Sequence, residues 1–299
     1  MQPLLDSDIL LYEIGFSGQT AEGPRDWSFV EELLNNRIKL ICDEVGATQP
    51  PLLFLTNTLR INKLLNKQRK REETEAVEYK DNFRIELAKE KEYKGGRKAE
   101  KPFHFYNILA YILSAYETRI HEGGIEADDF MCITQYSRLE NKDTIICSRD
   151  KDLKQCPGWH YSWEVGAQAA RGPFWVDHLG DLIHENPGEL NAKGKPKPMK
   201  VFGTGHKFFY YQLLNGDKVD NIGGVKNRGP VFAYNLLKDA ETERQCYELV
   251  AEVYVKAWEG QWKEKMKEQA DLLHMVREVH PDGSLKLWLP PAREEVLAD

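Results

Sequence analysis

Apolar positions along the chain fall into two rhythms. Short continuous runs read as buried strands: Leu4-Leu5 ending at Asp6, with more apolar chain at Ile9-Leu10-Leu11, then Pro51 to Thr56 (PLLFLT), then Asp143 to Ser148 (DTIICS). Between them lie stretches with helical spacing. Phe29 to Val45 is one, Ala127 to Leu139 another, and Phe105 to Ile120 carries Ile108, Leu109, Ile112, Leu113 and Tyr116 on one face. Strands alternating with helices over residues 1–180 predict a mainly parallel sheet flanked by helices, an α/β arrangement. Beyond about residue 205 the pattern is helical: Phe208–Leu214, Pro230–Leu237, Arg244–Trp258 and Glu264–Val279, closed by a terminal strand or arm at Leu285 to Pro290. The Pro-, Gly- and Lys-rich stretch Asn186 to Lys200 reads as a linker or surface loop. The expected division is therefore an α/β domain over 1–185 and a helical region over 201–299.

Composition changes this picture little. The chain has 299 residues, 41% hydrophobic and 30% charged, as an ordinary soluble protein does. No run approaches 18 apolar residues, so no membrane span is expected, and the start lacks the basic and apolar segments of a signal peptide. Five cysteines without CxxC spacing predict reduced thiols and a cytoplasmic protein, in the host cytoplasm if the source is viral. No oligomerisation signature is present, and a monomer is expected.

Charge changes it more. The net charge of −7 argues at first against a nucleic-acid partner. However, residues 60–101 hold 14 Lys/Arg against 9 Asp/Glu, so a basic segment sits beside an acidic remainder. Cation binding by one and phosphate binding by the other suits a nuclease. The plainer reading of the basic run is a solvated helix face or flexible insert, too polar to order itself by burial without DNA.

Three distant segments concentrate carboxylates among small or apolar neighbours: Glu126, Asp128 and Asp129 at the start of a helix, Asp150 and Asp152 past a strand, and Asp217 and Asp220 in Gly216–Asn221. Seven such groups in one cleft repel prohibitively unless divalent cations neutralise them, and hard oxygen donors suit Mg²⁺ or Mn²⁺. That points to hydrolysis of an anionic substrate, a phosphodiester foremost. The bland alternative for Glu126–Asp129 is a helix start favouring acids. For Asp150 and Asp152, the carboxyl edge of a parallel sheet is where ligands bind.

The most specific run is Gly216 to Pro230 (GDKVDNIGGVKNRGP). Glycines 223, 224 and 229 permit a tight turn between helices with amides open to a phosphate, and Lys226 and Arg228 add cationic contacts. A helix–turn–helix corner punctuated by glycine is the simpler account. Asp6-x-Asp8 after a strand invites a haloacid-dehalogenase-like phosphatase, but the later Gly-Asp-x-x-Asp is one residue short of that pattern. No phosphate-binding loop with Gly-Lys-Ser/Thr and no His-Glu-x-x-His occurs.

In this order, the segments resemble the 5′ nuclease family: flap endonucleases, the 5′ nuclease domain of bacterial DNA polymerase I and, most closely, bacteriophage 5′–3′ exonucleases. The resemblance rests on the strand ending in Asp6, Tyr93-Lys94-Gly95-Gly96-Arg97 in the basic segment, Glu126-Ala127-Asp128-Asp129, Ser148-x-Asp150-x-Asp152, Gly216-Asp217-x-x-Asp220-Asn221-Ile222-x-Gly224-Val225, and the ending Leu287-Trp288-x-Pro290. It covers nearly the whole chain. It implies a PIN-like α/β fold with a helical arch over 60–101 and a helix–three-turn–helix (helix–hairpin–helix) DNA-binding region. It also implies a Mg²⁺-dependent 5′–3′ exonuclease and flap endonuclease of the kind used in DNA replication, acting on duplex DNA with a free 5′ end or 5′ flap, or on an RNA–DNA hybrid.

The roles implied by the resemblance follow. Asp6, Glu126, Asp128 and Asp129 would hold one of two metal ions, with Mn²⁺ able to substitute, and Asp150, Asp152, Asp217 and Asp220 would bracket the other. Asp128 and Asp152 are the catalytic acids, and Lys94 and Arg97 would stabilise charge at the scissile phosphate. Tyr93, Lys94, Arg97 and Lys98 would touch DNA from the arch. Gly223, Gly224, Val225, Lys226, Arg228 and Gly229 would grip the duplex backbone and a monovalent cation such as K⁺. One departure stands out. The family carries an acid after its second buried strand, where this chain has Asn57; either Asn57 replaces it, or residues 57–80 are inserted and Asp81 does. A DNA-junction binding protein with little catalysis is the reading that Asn57 favours.

Overall fold

The computed structural model describes residues 1–96 and 100–292. Its centre is β1 (Gln2–Asp6), whose Leu4 and Leu5 have no exposed surface. The chain then runs directly into α1 (Ser7–Ser17), so Ile9-Leu10-Leu11 belongs to a helix. Asp6 caps that helix by accepting from the Ile9 amide at 3.3 Å. Leu10, Leu11 and Ile14 are buried on its inner face, each contributing about 1.5–3 kcal/mol of apolar burial.

A short hairpin, β2 (Gln19–Thr20) and β3 (Gly23–Pro24), leads to α2 (Trp27–Glu44), which packs Val30, Leu34, Ile38 and Ile41 inward at helical spacing. After β4 (Leu52–Phe54) come α3 (Leu59–Arg71), α4 (Phe83–Leu87), α5 (Phe105–Ala115) and the two-residue β5 (Thr118–Arg119). Then follow α6 (Ala127–Ser137), β6 (Thr144–Cys147), a 3-10 turn at Asp152–Gln155, β7 (Gly158–Ser162) and β8 (Arg171–Val176). The remainder is β9 (Leu182–His184), β10 (Val201–Gly203), α7 (Gly205–Asn215), α8 (Pro230–Leu237), α9 (Glu243–Trp258) and α10 (Trp262–Leu273).

The main sheet has the order β5-β4-β1-β6-β7-β8 and is parallel except for β8. The expected mainly parallel sheet flanked by helices is the observed architecture. One apolar core joins the sheet to α1, α2 and α5, and a smaller one lies under α6 on the other face. A third gathers α7 to α10, and Tyr93 and Leu182 reach into it. No helix among the described residues is long and apolar enough to cross a membrane.

Two expectations about elements are corrected. The helix from Phe105 stops at Ala115 rather than Ile120, because Thr118 and Arg119 pair with β4 as an edge strand. The helix expected over Glu264–Val279 ends at Leu273, where the chain turns extended to meet Arg84 and Asp129. Of the two readings of Leu285–Pro290, terminal strand or arm, the arm is the one observed, tucked in by Trp288, which is buried 5.7 Å from the Phe209 ring. Of the two readings of Asn186 to Lys200, linker or surface loop, the exposed loop is the one observed, laced by hydrogen bonds between the ends of β9 and β10.

Candidate active site

Parallel pairing of β1 with both β4 and β6 brings three carboxyl ends to one edge. Asp6 ends β1 and is 2% exposed; Ser148, just past β6, donates to it at 2.7 Å. The Asp150 amide donates to the Ser148 hydroxyl at 2.9 Å, and the Asp152 amide to the Asp150 carboxylate at 2.8 Å. This relay of short bonds curls the chain after β6 so that its acids face those of β1. Glu126 is the N-cap residue of α6 and Asp128 lies in its first turn. The Ala127 amide donates to the Thr56 hydroxyl at 2.9 Å, which ties this helix start to the end of β4.

Asp6, Asp8, Glu126, Asp128 and Asp150 line one cleft of about 640 Å³, and Lys94 lies with them. An adjoining crevice is lined by Glu126, Asp128, Asp150, Asp152 and Asp220 together with Arg84, Tyr93 and Lys94. Asp217 is joined to this group through Lys151, whose ammonium bridges it to Asp152. Residues spaced over more than 200 positions thus converge at one edge of the sheet.

Electrostatics follow from that crowding. Burial, and then the charges of Asp8 and Asp150, push the Asp6 carboxyl up to about 7. Burial, with Asp6, Asp150 and Glu126 nearby, holds Asp128 well above its usual range. Asp152 is pushed up to about 7 by burial and by Asp150. Two acids go the other way. Burial opposes ionisation of Glu126, but Lys94 and Arg84 outweigh it and hold its carboxyl low. Lys151 does the same for Asp217 against its burial.

Asp8 is absent from the site expected of the sequence, yet it lies in the cleft. Burial raises its carboxyl, and it accepts from the Thr56 amide at 3.2 and 3.3 Å. It therefore places an acid beside the end of β4, where Asn57 offers none. Asn57 itself is buried, and its Oδ1 has no hydrogen-bond partner. Asp81 is exposed, with its backbone against Gly124. The signal for Asp8 is the Asp-x-Asp spacing, which along the sequence reads only as a phosphatase mark.

Asp129, expected among the metal ligands, lines neither the cleft nor the crevice. It is wholly buried, with its two oxygens accepting from the guanidinium of Arg84 at 2.5 and 2.9 Å and from the Val276 amide at 3.0 Å. Arg84 also donates to the carbonyls of Leu272 and His274 at 3.0 Å each. The pair fastens α4 and α6 to the chain after α10.

Residues 83–96 pack against the site rather than standing off it as a solvated insert. The reason is that Arg84 and Tyr93 are buried rather than solvated. The Tyr93 hydroxyl donates to Glu126 at 3.0 Å and to Asp220 at 3.3 Å, while the Lys94 ammonium pairs with Glu126. The Lys94 amide donates to the Asp220 carbonyl at 3.0 Å. Lys94 has a positive φ of 56°, which turns its side chain back over the acids. Arg97 and Lys98 lie outside the described residues.

The glycine run forms a closed turn after α7. Asp217 and Ile222 exchange backbone hydrogen bonds at 2.7 and 3.0 Å, and the Val225 amide returns to the Leu214 carbonyl at 2.9 Å. A Cβ on Gly224 would stand 2.4 Å from the Leu214 carbonyl oxygen, so only glycine fits there. Gly223 and Val225 flank that contact. Lys226 is exposed, Arg228 lies over the Phe232 ring, and Gly229 caps α8 with no side-chain hydrogen bond, leaving its first amides open.

Oxygen-only donors under mutual repulsion are chemically fit for hard divalent cations. Asp6, Asp8, Glu126, Asp128 and Asp150 could hold one in the cleft, and Asp150, Asp152 and Asp220 another beside it. As the side chains stand, no group of three or more His, Cys, Asp or Glu among the described residues is drawn tightly enough to cage an ion. Lys94 and Lys151 instead supply the positive charge.

No family model matches the chain, and no curated protein does. Among solved structures the chain is similar to a bacteriophage T5 flap endonuclease in a pseudo-enzyme–product complex with DNA and metal ions. The identity is 11%, with 91% of this chain and 98% of that one covered and a TM-score of 0.48. It is also similar to the same phage's protein co-crystallised with metal ions (12%, 91% and 98%, 0.46) and to the T5 5′-exonuclease with bound zinc (13%, 91% and 99%, 0.44).

Proposed function

We propose that this chain is a Mg²⁺-dependent 5′ nuclease, a 5′–3′ exonuclease and flap endonuclease acting on duplex DNA as a monomer. Hydrolysis would leave a 5′-phosphate and a 3′-hydroxyl. The observation that carries the reading is the meeting of carboxylates from β1, α1, α6, the turn after β6 and the loop after α7, too crowded to ionise without added positive charge. Divalent ions, when bound, activate water and neutralise charge at the departing oxygen.

The chain's own groups do the rest. Lys94, held by Glu126 at the cleft, is placed where an entering phosphate competes for its ammonium. Tyr93 fixes the Glu126 and Asp220 carboxylates relative to each other. Gln212 donates to Asp152 at 2.6 Å and keeps that carboxylate turned into the crevice. The open amides at the start of α8, with Lys226 and Arg228 before it, suit the sugar–phosphate backbone of a duplex. The two-domain division, α/β over 1–185 and helical over 201–299, belongs to the same proposal.

The test uses one duplex labelled at its 5′ end and one at its 3′ end, each with Mg²⁺ or EDTA. Metal-dependent release from the 5′ label is expected. Asp152→Asn should cut the rate on the order of 10²–10³-fold while duplex affinity stays within a few-fold. Unchanged hydrolysis in that variant rejects the assigned site, and release that ignores EDTA rejects the metal dependence.

A further inference from the structure

The ribbon from Leu182 to Gly203 is an ordered structure built almost without a core. Its base pairs Leu182 with Gly203, Ile183 with Phe202 and His184 with Val201. Beyond the base, the Glu185 amide donates to the Lys200 carbonyl at 2.9 Å and the Lys197 amide to the Glu189 carbonyl at 2.8 Å. Asn186 bridges the two sides, accepting from the Lys200 amide and donating to the Pro198 carbonyl, both at 2.8 Å. At the tip, the Asn191 side chain accepts from the amides of Lys193 at 2.9 Å and Lys195 at 3.1 Å. Pro196 and Pro198 restrict the returning strand further. Apart from half-buried Met199, residues 187–200 are exposed throughout. Rigidity here serves no packing need.

What the ribbon displays is positive charge. Residues 186–200 hold four lysines and one glutamate. Lys197 is paired with Glu189 and Lys200 with Glu185, but Lys193 and Lys195 at the tip have no acidic partner among the described residues. In a chain of net charge −7, this is a local reversal of sign.

Its root ties it to the glycine turn. Leu182 is buried in the core that α7 and α8 share, and the His184 ring lies 6.0 Å from that of Tyr234 on α8. At the base, Gly180 and the Thr204-Gly205 backbone approach so closely that a Cβ on Gly180 would stand 2.0 Å from the Thr204 carbonyl oxygen. Such contact packs the base of the ribbon closely against the start of α7. Gly229 to Tyr234 is about 7–8 Å along the helix, at 1.5 Å per residue. Beyond β9 the chain turns, with the Glu189 amide on the Asn186 carbonyl at 3.4 Å, so the tip stands closer to the root than the roughly 20 Å that seven fully extended residues would span.

We propose that this ribbon is a second phosphate-binding arm, which contacts duplex backbone beyond the segment held by the glycine turn. The inference rests on the nuclease reading in taking duplex nucleic acid as the ligand. Lys193 and Lys195 are the contacts, and the fixed root sets their spacing from Lys226 and Arg228.

The experiment measures affinity of the full chain in EDTA for duplexes of about 12 and 30 base pairs between 50 and 200 mM salt. The variants are Lys193→Ala/Lys195→Ala and a control, Lys39→Ala/Lys256→Ala, that removes two surface lysines elsewhere. Two lost phosphate contacts lower the slope of log K against log salt by about 1.8, which is roughly tenfold less loss of affinity over that range. The change is expected on the long duplex only, with thermal stability unaltered and the control like wild type. An equal slope on both lengths overturns the arm, and so does an equal drop in the control. A wild type that cuts with Mg²⁺ while the tip variant keeps its slope refutes the arm alone; a wild type that neither binds nor cuts refutes the nuclease reading and the arm with it.

Discussion

Asp129→Asn separates two roles for an acid that sits next to a cleft acid in sequence. If Asp129 is a structural anchor, its loss acts on stability with no metal present. The substitution keeps the shape but removes the charge that faces the buried Arg84 fork at 2.5 and 2.9 Å. Arg84 is 2% exposed, and its next ion-pair partner is Glu126 at 3.8 Å. Breaking a buried pair from one side costs about 3–5 kcal/mol, because the remaining charge is stranded. For 299 residues, an unfolding entropy of about 2.1 cal/mol/K per residue is roughly 0.6 kcal/mol/K, so Tm should fall by about 5–8 °C. Differential scanning calorimetry in EDTA reads this directly. Arg84→Met/Asp129→Leu, which removes both charges, should recover most of the loss. A Tm in Asp129→Asn within about 1 °C of wild type, together with lost metal-dependent hydrolysis, would refute the structural assignment and return Asp129 to the metal site.

Three further outcomes are expected. Asp8→Asn should weaken Mg²⁺ or Mn²⁺ binding in calorimetric titration while leaving metal-free stability equal or higher, since it removes one of the repelling charges beside Asp6; unaltered affinity would place Asp8 outside the metal set. Gly224→Ala should lower both Tm and duplex affinity, because the Cβ meets backbone of Leu214 and Asn215 at 2.4 Å and the turn must open; normal binding would show that the turn is not the grip. His160, wholly buried with its ring 2.7 Å from the Cys156 carbonyl, is driven by burial down to about 3 from an ordinary value of 6.5. The sign is that of a base neutral when folded: its contribution is complete above pH 6.5 and is lost as pH falls toward 3. That is on the order of 4–5 kcal/mol across the window, and His160→Gln should flatten the acid limb of the stability curve between those values.

The sheet was legible because strands buried on both faces read as unbroken apolar runs, and Leu4-Leu5, PLLFLT and TIIC are such runs. The ends of helices were less so, since what stops α10 at Leu273 is a partner almost 190 positions earlier, Arg84 reaching the Leu272 and His274 carbonyls. The same reason hid the role of Asp129. Its spacing from Asp128 says that the two leave the helix about 100° apart, and whether Asp129 turns toward the cleft depends on where Arg84 comes to rest. Asp8 was obscured by the opposite error, a local spacing read as a motif when its meaning lay in the Thr56 amide across the sheet. Local pattern thus identifies which residues carry charge, and sheet register decides which charges meet. An acid just past a strand end is fixed by the register of that strand, as Asp6 and Asp150 are; an acid on a helix needs a further contact to orient it. That is why Asp129→Asn, and not a change at the strand ends, is the substitution on which the assignment of this site turns.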